Sequence, residues 1–423
     1  MVAGYRRRVI DDVLDELVDV LPAIELHGPK GVGKTATAQE RARTAIRLDD
    51  PREREVFESD PARLRTAEHP LLLDEWQRVP ESWDVVRRAV DDGVGSYLLT
   101  GSSVPTDAPV HSGAGRFVTF RMRPMSLLER GFAEPTVSLS DLLRGPRAEI
   151  AGSSDRTTRD YVDEIVRSGF PDIHGLTPRA RRHRLEGYVD LIVSRAFPEQ
   201  GLVVRRPGVL RAWLTAYAAA TSTTSSYQRI LDAATPGLAE KPARSTVTAY
   251  RDVLEQLWML DPVEAWLPGR NHLARLARSP KHQLADPALA AHLLGADPAA
   301  LLGGEQGPVP NLRDGTLLGS LFEHLVTLDV RVYATRSDAR VRHLRTADGA
   351  HEVDIVVERP DGRVLAIEVK LATTVTDHDV RHLAWLRDRI GDDLLDAVVV
   401  TPGPHAYRRR DGIAVVPAAL LGP

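Results

Sequence analysis

The sequence predicts an α/β chain built from two separate sheets with a helical region between them, and three observations predict it. A glycine-rich loop, Gly28-Pro-Lys-Gly-Val-Gly-Lys-Thr35, lies between a short apolar run and a helical one. A second apolar run ends in Asp74-Glu75. Near the other end, two strand-like runs carry Glu352-Val-Asp354 and Ile367-Glu-Val-Lys370. At 423 residues the chain exceeds one ordinary core, so several domains are expected.

Bulk composition narrows the class. Hydrophobic residues make up 43% and charged residues 27%, as in soluble globular proteins. No apolar stretch is long enough to cross a bilayer and no signal-peptide pattern is present, so a cytoplasmic location without a membrane partner is expected. The absence of cysteine excludes disulfides and zinc–thiolate sites. A net charge of −4 gives no global pull on nucleic acid; contact would come from local runs such as Arg179–Arg184 or Arg408–Arg410, which otherwise read as solvated surface. Of 55 basic residues only Lys30, Lys34, Lys241, Lys281 and Lys370 are lysine. Where arginine is so favoured, a retained lysine suggests a site that needs a compact ammonium. Lys34 and Lys370 fall inside the two motifs.

Leu21–His27 reads as a buried strand entering the glycine loop, and Thr35–Ala45 as the helix leaving it. Gly28, Gly31 and Gly33 let backbone N–H groups curl around a β-phosphate, so Gly28, Pro29, Lys30, Gly31, Val32, Gly33, Lys34 and Thr35 form the expected ATP cradle. Lys34 would reach the β- and γ-phosphates, and the Thr35 hydroxyl would ligate Mg²⁺. Asp74 and Glu75 end a strand where ligands gather in open parallel sheets. Asp74 would hold the magnesium shell and Glu75 would polarise the attacking water. The run Ser96–Ser103 offers Thr100 and Ser102 as contacts to the γ-phosphate. Arg116, in a glycine loop, is either an arginine finger, in the same subunit or on a neighbour, or an ordinary surface arginine.

Further along, Leu127–Leu210 is helical in pattern, broken by a polar loop near Gly152. Ser245–Leu257 has an apolar stripe of Val247, Tyr250, Val253, Leu254 and Leu257 with Ser245 as expected N-cap, and Trp258–Trp266 reads as a hairpin arm. Helices followed by such an arm resemble a winged helix, with Thr246, Thr248 and Arg251 as candidate DNA contacts or, alternatively, a packing module. Leu317–Val330 is an amphipathic helix carrying Glu323. With Pro360, Asp361 and Gly362 as loop, Arg359 pairs with Arg363 and Asp354 falls opposite Glu368, with Lys370 on the face of Glu368.

That geometry resembles the PD-(D/E)xK nucleases. The resemblance implies Mg²⁺ held by Asp354, Glu368 and the Val369 carbonyl, with Glu323 completing the shell and Lys370 activating water. On a wider scale, the order Leu48-Asp-Asp50, Leu73–Pro80, Leu98–Ser103, Gly115-Arg116, Arg123–Ser126, Ser168–Pro171, Leu284-Ala-Asp286, Gly319–Glu323, Glu352–Asp354 and Glu368–Lys370 resembles bacterial and archaeal AAA-type ATPases with a C-terminal nuclease-like domain. Trp76 and Ser194-Arg-Ala196 depart from that pattern. The resemblance implies a P-loop AAA-type ATPase domain over 1–135, a helical lid and connector over 136–210, a winged-helix-like domain over 211–270, a linker over 271–310 and a restriction-endonuclease-like α/β domain over 311–423.

The leading function is therefore an ATP-hydrolysing protein linked to a Mg²⁺-dependent DNA endonuclease, in genome defence or DNA processing. Its expected partners are nucleic acid, DNA first, and further copies of itself in a homo-oligomer. The alternatives are a nucleotide-dependent switch whose nuclease-like domain only binds nucleic acid or a partner, and a toxin-like protein.

Overall fold

The computed structural model describes residues 4–102, 114–145, 148–236, 242–269, 278–303 and 315–423. The chain forms two compact units that alternate along the sequence, where the sequence predicted segments laid end to end. The first takes Met1–Arg123, Ser194–Val204 and Thr248–Met259, and the second takes Pro124–Val193, Arg205–Val247 and Leu260–Pro423.

The first unit is built on a five-stranded sheet. Its strands are β1 (Ala23–His27), β2 (Thr44–Arg47), β3 (Leu71–Asp74), β4 (Tyr97–Gly101) and β5 (Phe117–Arg121), in the order β2-β3-β4-β1-β5. Every pair is parallel. Helices α1 (Val9–Leu17), α2 (Lys34–Gln39), α3 (Pro51–Ser59) and α4 (Glu81–Asp91) accompany it. A parallel sheet is covered on both faces, which is why Leu71-Leu-Leu73 and Tyr97-Leu-Leu99 are unbroken apolar runs. Leu71, Leu73, Tyr97 and Leu99 join Phe57, Trp76, Trp83 and Val86 in one core, and Leu72 and Leu98 point to the other face.

The helix after the glycine loop is shorter than the expected Thr35–Ala45. It ends at Gln39, where the Arg41 amide turns to the Ala38 carbonyl and its guanidinium reaches the Thr37 carbonyl and Asp11. Thr44-Ala-Ile-Arg47 then pairs with Leu71–Asp74, so tertiary pairing overrides the helical pattern there.

In the middle of the chain lie β6 (Val137–Ser138), α5 (Leu139–Leu142), β7 (Gly152–Ser153), α6 (Thr158–Arg167), α7 (Pro171–His174), α8 (Pro178–Leu191), α9 (Phe197–Glu199), α10 (Pro207–Ala219), α11 (Tyr227–Ala234), α12 (Arg244–Gln256), α13 (Pro287–Leu293) and α14 (Pro298–Leu302). Two expectations change here. The polar loop at Gly152 is strand β7, and α12 starts at Arg244, placing Ser245 inside the helix rather than at its cap. The apolar stripe itself is buried at all five positions. The arm after α12 does not fold back on itself within Trp258–Trp266. Instead Leu260 bridges Leu284 and Val263 bridges Lys281, both antiparallel, so the expected linker supplies the partner strand.

The rest of the second unit contains α15 (Gly315–Ala334), β8 (Arg340–Arg345), β9 (Glu352–Glu358), β10 (Val364–Val369), α16 (Arg381–Ile390), β11 (Leu394–Thr401), β12 (His405–Arg408), β13 (Ala414–Pro417) and β14 (Leu421–Gly422). Seven strands form a mixed sheet in the order β7-β12-β13-β11-β10-β9-β8, while β14 pairs with β6. Residues assigned from sequence to the lid thus complete the C-terminal sheet through β7. The β9–β10 hairpin keeps the predicted register, pairing Val364 with Glu358 through Ile367 with Ile355. The Arg359 amide closes its loop on the Arg363 carbonyl. Among the described residues, no helix is long and apolar enough to cross a membrane.

Candidate functional site

Strand β1 delivers the glycine loop. Gly28, Gly31 and Gly33 all have positive φ. At Gly28 a Cβ would sit 2.3 Å from the Met122 carbonyl oxygen, so only glycine lets the loop leave the sheet there. The Lys34 ammonium is buried and donates to the Gly28 and Pro29 carbonyls at 2.7 and 3.0 Å. Burial draws its pKa down to about 8, against the pull of Glu75 and Asp74. The Thr35 hydroxyl donates to Asp74 Oδ1 at 2.6 Å, and the Thr100 hydroxyl donates to the same oxygen. Oxygen ligands from α2 and β3 therefore stand side by side, a donor set that suits Mg²⁺. Thr100 is buried against Asp74, so it orients this carboxylate, a contact not anticipated for the expected phosphate sensor. Glu75 takes a left-handed backbone (φ 54°), and its Oε2 accepts from the Ser102 hydroxyl at 3.1 Å and from the Gln77 amide.

A second cluster gathers where α15 meets β9 and β10. Of the predicted residues, Glu323 and Asp354 meet on a partner the sequence motif does not include, while Glu368 is paired with Lys370. The buried Lys281 ammonium donates to Glu323 Oε1 at 2.9 Å and to Asp354 Oδ1 at 3.0 Å, and lies 3.1 Å from Glu352 Oε1. The other Asp354 oxygen accepts the Val369 N–H at 2.9 Å. Lys370 donates to Glu368 Oε1 at 2.7 Å. Burial pushes Glu323 up to about 8 despite Lys281, and burial with Asp354 pushes Glu368 up to about 8 despite Lys370. Burial also opposes charge on Asp354, but Lys281, Lys370 and the Val369 N–H outweigh it and hold its pKa below the usual range.

The expected metal shell of Asp354, Glu368 and the Val369 carbonyl does not fit a divalent ion in this arrangement. Both Asp354 oxygens are engaged, and of the acidic pair only Glu368 Oε2 is buried without a partner. Among the described residues, no group of three or more His, Asp or Glu is disposed to hold a metal.

Residues 22–130 match the family described as AAA domain. The chain carries an AAA ATPase domain. Residues 158–300 and 318–421 match two families described as domains of unknown function, DUF8612 and DUF4143. No curated protein matches the chain. Among solved structures it is similar to the Walker-type ATPase PABY2304 of Pyrococcus abyssi, at 16% identity and a TM-score of 0.40, covering 67% of this chain and 94% of that one.

Within the AAA domain Arg116 lies away from the nucleotide loop. It is bonded to Asp91 in the last turn of α4 at 2.8 Å and to the Ala114 carbonyl. Lys30 is half-exposed and 3.7 Å from Glu199. Three contributors to the site were not legible. Arg8 donates to the Val32 carbonyl at 3.0 Å and to the Arg123 carbonyl, bracing the loop from the N-terminal side. Gln77 fixes Glu75, two positions after the Asp-Glu signal that named it. Trp258 stacks on His27 with ring centroids 4.1 Å apart, and the Arg121 guanidinium lies 4.7 Å from its ring centroid. Of the two basic runs, Arg179, Arg182 and Arg184 are exposed on α8, while Arg408 is bound to Asp396 and Arg409 to Asp377 and Asp411. Of the candidate winged-helix contacts, Thr248 is exposed, whereas Thr246 and Arg251 are partly buried and Arg251 pairs with Asp252.

Proposed function

We propose that this protein is an ATP-hydrolysing switch whose nucleotide state governs how its second unit engages nucleic acid, DNA first. One observation carries the nucleotide half: Thr35 and Thr100 converge on Asp74 while Ser102 and Gln77 aim Glu75 beside the Lys34 loop. When Mg²⁺ and ATP are bound, Thr35 and Asp74 would hold the ion, which neutralises phosphate charge. Lys34 would leave the Gly28 and Pro29 carbonyls for phosphate oxygens, and Glu75 would orient water. The exposed arginines of α8 supply local positive charge for a phosphate backbone. Assembly into a homo-oligomer would give Arg116 a neighbour's nucleotide to reach.

A second reading, favoured by the convergence of Glu323, Asp354, Glu368 and Lys370, is a Mg²⁺-dependent endonuclease in genome defence or DNA processing. The engagement of Asp354 by Lys281 argues for the switch.

The test has two arms. ATP hydrolysis is lost in Lys34→Ala, whereas Glu75→Gln still binds ATP but turns over at least about 100-fold more slowly. Labelled duplex, single-stranded and branched DNA and RNA, with Mg²⁺ or Mn²⁺ and with or without ATP, are then assayed for both retention and cutting. ATP-dependent retention without cutting supports the switch. Cutting that vanishes in Asp354→Ala would establish the nuclease instead, and neither retention nor cutting would overturn the nucleic-acid partner.

A further inference from the structure

Lys281 lies in the antiparallel bridge to Val263, with both backbone hydrogen bonds to that residue at 2.9 Å, so its stem leaves a fixed point. Its side chain is 1% exposed. An ammonium has three N–H donors and no acceptor, and here it meets three carboxylates from two elements: Glu323 on α15 and Glu352 and Asp354 on β9. His343 also lies near this charge; burial first, and then Lys281, draws its pKa down to about 3, so it stays neutral and adds no competing cation at neutral pH. Glu352 has a second partner in Arg345 at 3.1 Å, and Lys370 serves Glu368. Acidic groups packed so closely stay ionised only where a cation inside the fold compensates them, as at Asp354.

We propose that Lys281 is that resident cation: its ammonium takes the place between Glu323, Glu352 and Asp354 that a divalent ion would otherwise hold, and makes the cluster metal-refractory. Its distances of 2.9–3.1 Å are those of N–H to oxygen contacts. A magnesium ion needs oxygens at roughly 2.0–2.1 Å, so ammonium and ion exclude one another from the same carboxylates. The consequence is specific. Shortening or neutralising Lys281 uncovers a latent divalent-ion site in the second unit, independent of nucleotide turnover in the first.

The experiment uses the full chain without nucleotide and Mn²⁺ as probe, read by the electron paramagnetic resonance of free Mn²⁺ and by thermal melting. Wild type should show only weak binding that Asp354→Asn leaves unchanged. Lys281→Met should melt lower and gain one Mn²⁺ equivalent, which is lost again when Asp354→Asn is added. With Mn²⁺ about a hundredfold above its dissociation constant, the Lys281→Met melting temperature should rise by about 5–10 °C while that of wild type stays in place.

Should Lys281→Met fail to fold without metal, recovery of its melting transition on adding Mn²⁺ supports the proposal. The charge-reduced Lys281→Met/Glu352→Gln chain gives a further folded test. The proposal is overturned if wild type already binds Mn²⁺ through Asp354 as tightly as the variant. It is equally overturned if Lys281→Met, or the charge-reduced chain where Lys281→Met does not fold, is folded by circular dichroism yet gains no ion.

Discussion

Trp76 is one of the two places where the AAA-like pattern is broken, and the structure gives this break a reason. Its indole N–H donates to Glu25 Oε1 at 3.2 Å, and Thr119 donates to the other oxygen at 3.3 Å. Burial raises the pKa of Glu25, and those two donors offset part of the cost. Trp76→Leu should destabilise the first unit by about 1–3 kcal/mol from the orphaned carboxylate alone, beyond the packing lost. The same change in a Glu25→Leu background should cost less, and equal costs in a denaturation cycle would show the hydrogen bond to be irrelevant. The legibility of single residues divides along the same line. Lys34, Thr35, Asp74 and Glu75 are signalled by their immediate neighbours, whereas Trp76 finds Glu25 across 51 positions. Lys281 is still less visible, lying 42 and 73 positions from Glu323 and Asp354. Its only sequence signal is that it is one of five lysines in an arginine-rich chain, the criterion that singled out Lys34 and Lys370.

Among elements, strands were legible where they are buried on both faces and hairpins where the turn residues are explicit. The Arg359–Gly362 loop determines the β9–β10 register because Gly362 takes a positive φ of 86° that the turn needs. Short strands such as β7 carry no such pattern, since two exposed residues bury nothing. The end of α12 shows an element acting on the site from far along the chain. Trp258, in a left-handed backbone with φ 59°, lays its ring on His27, the residue before Gly28. Burial, with Arg121, Arg123 and Lys34 adding to it, holds His27 near pKa 3, so this stack is with a neutral imidazole. Aromatic and cation–π contacts of this kind contribute about 0.5–2 kcal/mol, so Trp258→Ala should weaken ATP affinity roughly 2- to 30-fold. Trp258→Phe should lose less, because the indole nitrogen is buried without a partner and nothing is orphaned. Titration with a fluorescent ATP analogue checks both, and unchanged affinity in Trp258→Ala would show that the stack does not support the loop.

For the whole molecule, the mixed α/β class was visible in the motifs but the alternation of the two units along the chain was not. Membership of a compact unit depends on which segments return after long excursions, as Ser194–Val204 and Thr248–Met259 do, and no local pattern encodes a return. The second unit also buries acids at a cost that depends on pH. Asp329 on α15 accepts the Leu127 N–H at 2.9 Å, yet burial lifts its pKa from 3.8 to about 8 in spite of Arg130 and that hydrogen bond. Glu323 is lifted from 4.5 to about 8. A carboxyl whose folded pKa is raised binds its proton more tightly when native than when unfolded. Stability from such groups is therefore greatest below about pH 4 and falls as pH rises towards about 8, after which it is level. Denaturant unfolding of the full chain should accordingly show the second unit losing stability between pH 5 and pH 8. Asn in place of Asp329 can still accept the Leu127 N–H but has no proton to lose. Asp329→Asn should flatten that slope, and a slope identical to wild type would mean that Asp329 is not among the groups that set it.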